Sequence, residues 1–301
     1  MSKSAPLVVC FGEILWDFLP RGLFPGGAPF NVAYHLHGLG LRALLVSGVG
    51  RDLLGDELLR RLRAWHLPVD GVSRHRRLRT GYVTATLGRA GDAHYQITRH
   101  VAWDHIGIDA GKLRAAASAQ AMVFGSLAQR SVANRTALDR LLDALPPKAE
   151  RIFDVNLRPP HDNLALVLAL ARRATLLKLN AHEAARLAGR KPAAGRELAH
   201  ARALAERTGC AAVCISAGAR GAGIFEAGEW HWVAGRRTKV RDTVGAGDAF
   251  LAGLLAGRLL HRESPAAALR RACRMGEFVA ARDGATPHYR RNARGQPIDS
   301  D

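Results

Sequence analysis

The stretch Asp242-Thr243-Val244-Gly245-Ala246-Gly247-Asp248 runs directly into Ala249-Phe250-Leu251-Ala252-Gly253-Leu254-Leu255, and its reading decides the rest. Two glycines let the backbone turn with its amides inward, and an almost wholly apolar helix starts straight after them. A helix that is apolar all round is buried, so its positive N-terminal end faces a cleft. Free amides at such an end suit phosphate, or charge that develops during phosphoryl transfer. Asp248 falls in the first turn, where a carboxylate can cap the helix or take a proton from a hydroxyl. Taken alone, the stretch also reads as a plain Gly-rich turn with a capping acid.

Working outward, short apolar runs alternate with amphipathic stretches. Leu7 to Phe11, Leu44 to Val46, Met122 to Phe124, Ile152-Phe153, Leu176-Leu177 and Val213 to Ile215 read as buried parallel strands. Between them, Leu54, Leu58, Leu59, Leu62 and Trp65 mark one helix face, with Asp56 and Glu57 early and Arg60, Arg61 and Arg63 late, as the helix dipole prefers. This alternation predicts an α/β fold with helices on both faces of a mostly parallel sheet. One segment departs from it. Over 80–87 and 93–98 the pattern is that of a hairpin with one wet face, its turn at 88–92, and Ile14 to Leu19 can add a strand to it. The segment after about Tyr289 reads as a polar, disordered tail.

The chain has 301 residues, 48% of them hydrophobic and 23% charged, which is enough for one large α/β domain or two ordinary ones. No apolar run approaches the ~18 residues of a membrane span, and the N-terminal run is too short for a signal peptide. Cys10, Cys210, Cys214 and Cys273 have no metal-ligand spacing and read as reduced thiols, which places the chain in the cytoplasm. The net charge of +18 suggests nucleic acid first. However, 38 of the 44 basic residues are Arg spread from Arg21 to Arg294, without interleaved aromatics for stacking. No nucleic-acid partner and no membrane are expected.

Three familiar patterns nearly match and fail. Gly107 to Lys112 has three residues between its glycines instead of the four of a Walker loop. After Gly48-Val49-Gly50 the third glycine, Gly55, comes two places late for a dinucleotide fingerprint. His182-Glu183 is followed by Arg186 where a zinc-binding helix needs its second histidine.

The opening stretch resembles the C-terminal signature of the ribokinase-like (PfkB) carbohydrate kinases, and other segments agree in order and spacing. Gly12-Glu13-Ile14-Leu15-Trp16-Asp17 resembles the family's first strand and its substrate-gripping Asp. Gly26-Gly27-Ala28-Pro29-Phe30-Asn31-Val32-Ala33 resembles its sugar-binding diglycine and the helix that follows. Asp154-Val155-Asn156-Leu157-Arg158-Pro159, Asn180-Ala181-His182-Glu183, Ser216 to Gly221 and Gly284-Ala285-Thr286-Pro287 complete the set. The resemblance covers about residues 7 to 288. It implies a ribokinase-like three-layer sandwich in one kinase domain spanning 1–301. A small antiparallel β lid would come from about 13–20 and 80–105, ahead of the polar tail at 289–301.

By this resemblance Asp248 is the base that takes a sugar hydroxyl's proton as it attacks the γ-phosphate of ATP. Gly245, Ala246 and Gly247 form the anion hole. Asp17, Gly26, Gly27, Asn31, Asn156 and Arg158 meet the substrate, Arg158 near the phosphates. Lys178, Asn180, Ser216, Gly218 and Gly221 line the nucleotide. Glu183 helps hold Mg²⁺ through water, and Asp242 and Thr243 sit where many members bind a monovalent cation such as K⁺. Read without the family, Asn180 and Glu183 are a helix-capping pair. The 80–98 hairpin would close over the sugar and exclude water, and Trp103 after it either stacks on the sugar or belongs to the core. Two departures stand out: Ser216-Ala217 replaces a common Thr-Arg or Thr-Leu pair, and Cys273 stands where an Asn often approaches the adenine.

The Trp16-Asp17 pair and the run from Gly26 to Ala33 resemble the bacterial fructokinase branch, which makes fructose the first substrate expectation. Another hexose such as tagatose, a sugar acid such as 2-keto-3-deoxygluconate, ribose or a nucleoside are the alternatives. A non-catalytic sugar- or nucleotide-binding regulator is a further class, against which the intact Asp248, Gly245, Gly247 and Glu183 argue. The free edges of the lid sheet invite pairing of two copies as a homodimer.

Overall fold

The computed structural model describes residues 5–19, 22–87, 93–292 and 295–299, with the backbone alone for 85–87 and 93–95. The first third holds β1 (Leu7–Phe11), β2 (Leu15–Leu19), β3 (Gly22–Gly26), α1 (Ala28–Gly38), β4 (Arg42–Gly50), α2 (Leu53–Ala64), β5 (Val72–His75), β6 (Tyr82–Leu87) and β7 (Ala93–Ile97). Next come α3 (Ala110–Ser118), β8 (Ala121–Gly125), α4 (Val132–Ala144), β9 (Glu150–Asp154), α5 (Leu164–Ala171), β10 (Leu176–Asn180), α6 (Ala181–Leu187), α7 (Glu197–Thr208) and β11 (Ala212–Ser216). The last part contains β12 (Gly221–Glu226), β13 (Glu229–Ala234), α8 (Ala246–Leu255), α9 (Pro265–Ala280), β14 (Tyr289–Arg291) and β15 (Pro297–Asp299).

A nine-stranded sheet runs in the order β13-β12-β11-β10-β9-β8-β1-β4-β5. It is parallel from β11 to β5, and β12 alone runs against the rest, pairing antiparallel with β11 on one side and β13 on the other. The apolar run at β1 needs cover on both faces, and successive side chains go to opposite sides. Val8 and Cys10 pack with α1, α2, α8 and α9, whereas Leu7, Val9 and Phe11 pack with α3, α4, α5, α6 and α7. The result is a three-layer sandwich. Every residue of α8 from Asp248 to Leu255 is buried, as its composition requires.

The parallel strands β1, β8, β9, β10 and β11 all end at one edge of the sheet, where Glu13, Ser126, Asn156, Asn180 and Ser216 emerge. Ligands of such sheets gather at that carboxyl edge.

A second sheet, β3-β2-β6-β7, stands apart from the first. β2–β3 and β6–β7 are antiparallel pairs, while β2 and β6 meet in parallel with Trp16 opposite Tyr82. The expected turn at 88–92 lies outside the described residues. Beneath this sheet Leu15, Val83, Val101, Trp103 and Leu127 form a small apolar cluster. Of the two expectations for Trp103, the structure bears out the core one. Trp103 is fully buried, with the Arg130 guanidinium 4.1 Å from its ring centre.

The expectation of a disordered tail is corrected. Residues 289–291 and 297–299 pair as the β14–β15 hairpin, and Tyr289 stacks on His35 and meets Phe278 edge-on. Arg291 Nη1 donates to the Leu39 carbonyl at 2.9 Å. An aromatic ring and a guanidinium with partners on α1 outweigh the polarity of their neighbours.

Candidate active site

The backbone of 242–248 is tied before the helix begins. Asp242 accepts from the Val244 N–H at 3.0 Å through one oxygen and from the Gly284 N–H at 3.1 Å through the other. Gly245 then takes φ +75°, and a Cβ placed on it would lie 2.5 Å from the Ala285 Cβ. Ala246, which the sequence places in the anion hole, gives its N–H to the Thr243 carbonyl at 3.2 Å. Among the described residues, the first-turn amides of Gly247 and Asp248 have no acceptor, as their place at the helix start dictates.

Asp248 is buried, and its Oδ2 accepts from Asn31 Nδ2 of α1 at 2.8 Å. Burial, reinforced by the nearby Asp154 charge, raises its pKa to about 6. Lys178, the Asn31 hydrogen bond and Arg158 pull the other way. A carboxyl so poised is half-ionised just below neutrality, where a general base is most effective.

Lys178 Nζ donates to Asp154 Oδ1 at 3.0 Å, and both side chains are buried. Burial alone would lower the ammonium's pKa, but Asp154, Asp248 and Glu183 outweigh it and hold it above the ordinary value. A Cβ on Gly247 would stand 3.2 Å from Lys178 Nζ, so this cation lies at the N-terminal turn of α8.

Asp17, on β2, is raised to about 6 by burial, against the pull of Arg158. The diglycine beside it has a steric cause that the sequence does not reveal. A Cβ on Gly26 would fall 2.1 Å from Asp17 Oδ2, and one on Gly27 would fall 2.4 Å from the Glu13 carbonyl oxygen. Two carboxyl-bearing segments therefore press on this turn.

Glu13 is the residue that sequence reasoning missed. It is buried beside Asp248 and Arg158, with its Oε2 unpartnered among the described residues, and burial raises its pKa to about 7. The sequence signal was a charged residue at the end of an otherwise apolar strand.

Asn156, at φ 41°, turns the chain after β9, and Ser126 Oγ donates to its carbonyl at 3.4 Å. That turn brings Arg158 within electrostatic reach of Glu13, Asp17 and Asp248. Glu183 accepts from the Leu157 and Asn180 amides, each at 2.8 Å, while Asn180 Oδ1 caps α6 by accepting from the Glu183 N–H. Thus the capping pair read from sequence exists and also braces the loop that carries Arg158. Ser216 ends β11, Gly218 takes φ +58° with open space around it, and Gly221 opens β12. Asn156, Asn180 and Ser216 therefore share one edge of the main sheet, with Asp17 and Asp248 brought within electrostatic reach of Arg158 there.

Residues 20–290 match the model of the pfkB family carbohydrate kinases. The chain belongs to the pfkB family of carbohydrate kinases. It is thus an ATP-dependent phosphotransferase that acts on a sugar. Among its curated relatives is the fructokinase of Rhizobium leguminosarum bv. trifolii, 28% identical over 275 residues, covering 83% of this chain and 79% of that one. The probable chloroplastic fructokinase-6 of Arabidopsis thaliana is 28% identical over 278 residues, covering 84% and 70%. The fold is shared with Vibrio cholerae O395 fructokinase bound to fructose, ADP and calcium ion (TM-score 0.81, 23% identity, 94% of this chain and 96% of that one). It is shared equally with the 2-dehydro-3-deoxygluconokinase of Thermotoga maritima (TM-score 0.80, 20% identity, 93% and 95%).

If Asp248 is the base, the Asn31–Asp248 bond should leave a pH signature in this pfkB kinase. The Asn31 donor favours the carboxylate, so an Asn31→Leu variant should shift the acid limb of its kcat/KM profile above the wild-type limb near pH 6. An acid limb that stays put would show that Asp248 does not set it.

Proposed function

We propose that this kinase transfers the γ-phosphoryl group of ATP to a hydroxyl of fructose, with Asp248 as the general base. The observation that carries this reading is the buried Asp248, hydrogen-bonded to Asn31 and set in the first turn of an apolar helix. As the sugar oxygen forms its bond to phosphorus, its proton passes to Asp248 and the bond to the ADP oxygen breaks. The Gly247 and Asp248 amides, with Gly245 shaping their turn, receive the charge on the transferring group. Lys178 and Arg158 supply fixed positive charge beside them. Asp17 and Asn31 accept and donate hydrogen bonds to the sugar, and the turns at Gly26-Gly27 and Asn156 shape its pocket. Asn180, Ser216, Gly218 and Gly221 line the nucleotide. The β3-β2-β6-β7 sheet acts as the lid of a single kinase domain.

Mg²⁺ fits these residues in one particular way. No group of three or more His, Cys, Asp or Glu side chains gathers among the described residues, which suits an ion that keeps most of its waters and arrives on the nucleotide. Glu183, already held by two amides, would meet that shell through water, and the ion would neutralise phosphate oxygens. Asp242 and Thr243 would flank a monovalent cation such as K⁺.

Charge balance supports a neutral sugar. Glu13, Asp17 and Asp248 surround Arg158, while Lys178 is paired with Asp154 and Arg130 with Asp104. A sugar acid would add an anion beside Glu13, Asp17 and Asp248, three carboxyls around the one Arg158. Four free, buried cysteines suit a reducing cytoplasm, and no described helix is long and apolar enough to cross a membrane.

The test is coupled ADP release with Mg-ATP against fructose, tagatose, ribose, 2-keto-3-deoxygluconate and adenosine. Fructose should lead in kcat/KM by at least about tenfold, the scale of one misplaced polar contact. A lead for the sugar acid would overturn the charge argument.

A further inference from the structure

His35 lies on the inner face of α1, one turn beyond Asn31, and is fully buried. Its Nε2 is 2.8 Å from the Ala285 carbonyl oxygen, and its Nδ1 is 3.2 Å from Tyr289 Oη. Burial lowers its pKa to about 4, against the Ala285 bond, so the ring is neutral near pH 7. A carbonyl can only accept, which puts the ring proton on Nε2 and leaves Nδ1 as an acceptor, so the single Tyr289 hydroxyl proton is divided between Nδ1 and the His35 carbonyl oxygen, 3.3 Å away. The neighbouring Tyr34 hydroxyl donates to the Pro287 carbonyl at 3.1 Å.

The 284–287 segment held in this way forms the back wall of the turn before α8. Ala285 fills the space where a Gly245 side chain would go, and the Gly284 N–H donates to Asp242. The contacts close into a ring: α1 through His35 to Ala285, on to Gly245, along the first turn of α8 to Asp248, and back to α1 through Asn31. None of the roles above uses His35.

We propose that His35, backed by Tyr289, is a positioning residue that fixes the Gly247 and Asp248 amides by holding the Ala285 carbonyl against the Gly245 turn. The proposal rests on the phosphotransferase reading of Asp248 and adds a residue that touches neither sugar nor nucleotide. Misaimed donors weaken transition-state binding more than ground-state binding, so the effect belongs in kcat.

Two variants separate this from plain packing. Gln places an N–H where Nε2 stands, whereas Leu fills the space without a donor. For His35→Leu we expect kcat about tenfold lower with both KM values within about twofold, and His35→Gln should recover most of the loss. Amide exchange over 243–249 should be about tenfold faster in His35→Leu and near wild type in His35→Gln. If His35→Leu does not fold, His35→Asn replaces it, because its amide reaches only the Nδ1 position; it should behave as the leucine variant was expected to.

Equal activity and equal exchange in the donor and non-donor variants would overturn the proposal. So would a loss that appears in KM alone. A wild-type protein that turns over no sugar would sink the kinase reading, and the exchange comparison would still decide whether His35 holds the turn.

Discussion

Asp248→Asn should lower kcat by about 10²–10⁴-fold, the range for loss of a general base, while ATP and sugar still bind. The substitution leaves the geometry in place: an amide oxygen at the same position still accepts from Asn31, now 2.8 Å from Oδ2. It also relieves the like charge of Asp154, so the variant should fold at least as well as the parent. What disappears is the proton acceptor, and with it the acid limb near pH 6. In the parent Glu13, also raised by burial and within electrostatic reach of Asp248, shapes that limb too. Rates below it fall as Asp248 protonates, which is the expected sign for a base that works ionised. Near-normal turnover in coupled ADP release by the amide variant would remove Asp248 from the mechanism.

The second large effect is expected at Gly245. Gly245→Val forces a β-branched residue into φ +75° and drives its Cβ to 2.5 Å from the Ala285 Cβ and 2.6 Å from its Cα. The wall behind cannot yield cheaply, because Ala285 is held by His35. The turn must therefore move and take the Gly247 and Asp248 amides with it. Losing one such donor costs on the order of 10²–10³ in kcat, so kcat should fall by that much with a smaller change in sugar KM. Circular dichroism would confirm that the variant is folded. An unchanged kcat/KM would show that these amides carry no charge in the transition state. At Gly247 the nearest atom to an added Cβ is the movable Lys178 Nζ, at 3.2 Å, so Gly247→Ala should be milder.

The parts of this site legible in the sequence were those whose cause is local. A helix apolar on every side can only be buried, and α8 is. Alternation of runs set the parallel sheet, and the spacing of Asn180 and Glu183 gave a capping pair that the backbone contains. What stayed hidden depends on partners far along the chain. His35 looks like one of two polar residues near the end of α1, yet it is buried because Ala285 and Tyr289 come to it. Glu13 looks like the hydrophilic end of a strand until Arg158 and Asp248 fold beside it. The β14–β15 hairpin was hidden by a polar composition whose few anchoring contacts lie on α1 and on Leu39 at its end. The free amides of α8 were equally hidden, since only the folded turn directs the Ala246 N–H back to Thr243.

The bond between Asn31 and Asp248 joins residues 217 positions apart. During synthesis the ribosome takes on the order of ten to forty seconds to travel from one to the other, at about 5–20 residues per second. Throughout that interval the residues of α1 have β1 and β4 but neither α8 nor the 284–289 segment to pack against. The part of α1 that α8 covers in the folded protein stays open to other nascent chains and to chaperones for that time. The polypeptide is therefore catalytically silent while most exposed to misassociation. With Asp248 as the proposed base, phosphoryl transfer has to wait until the last third of the chain closes onto the first.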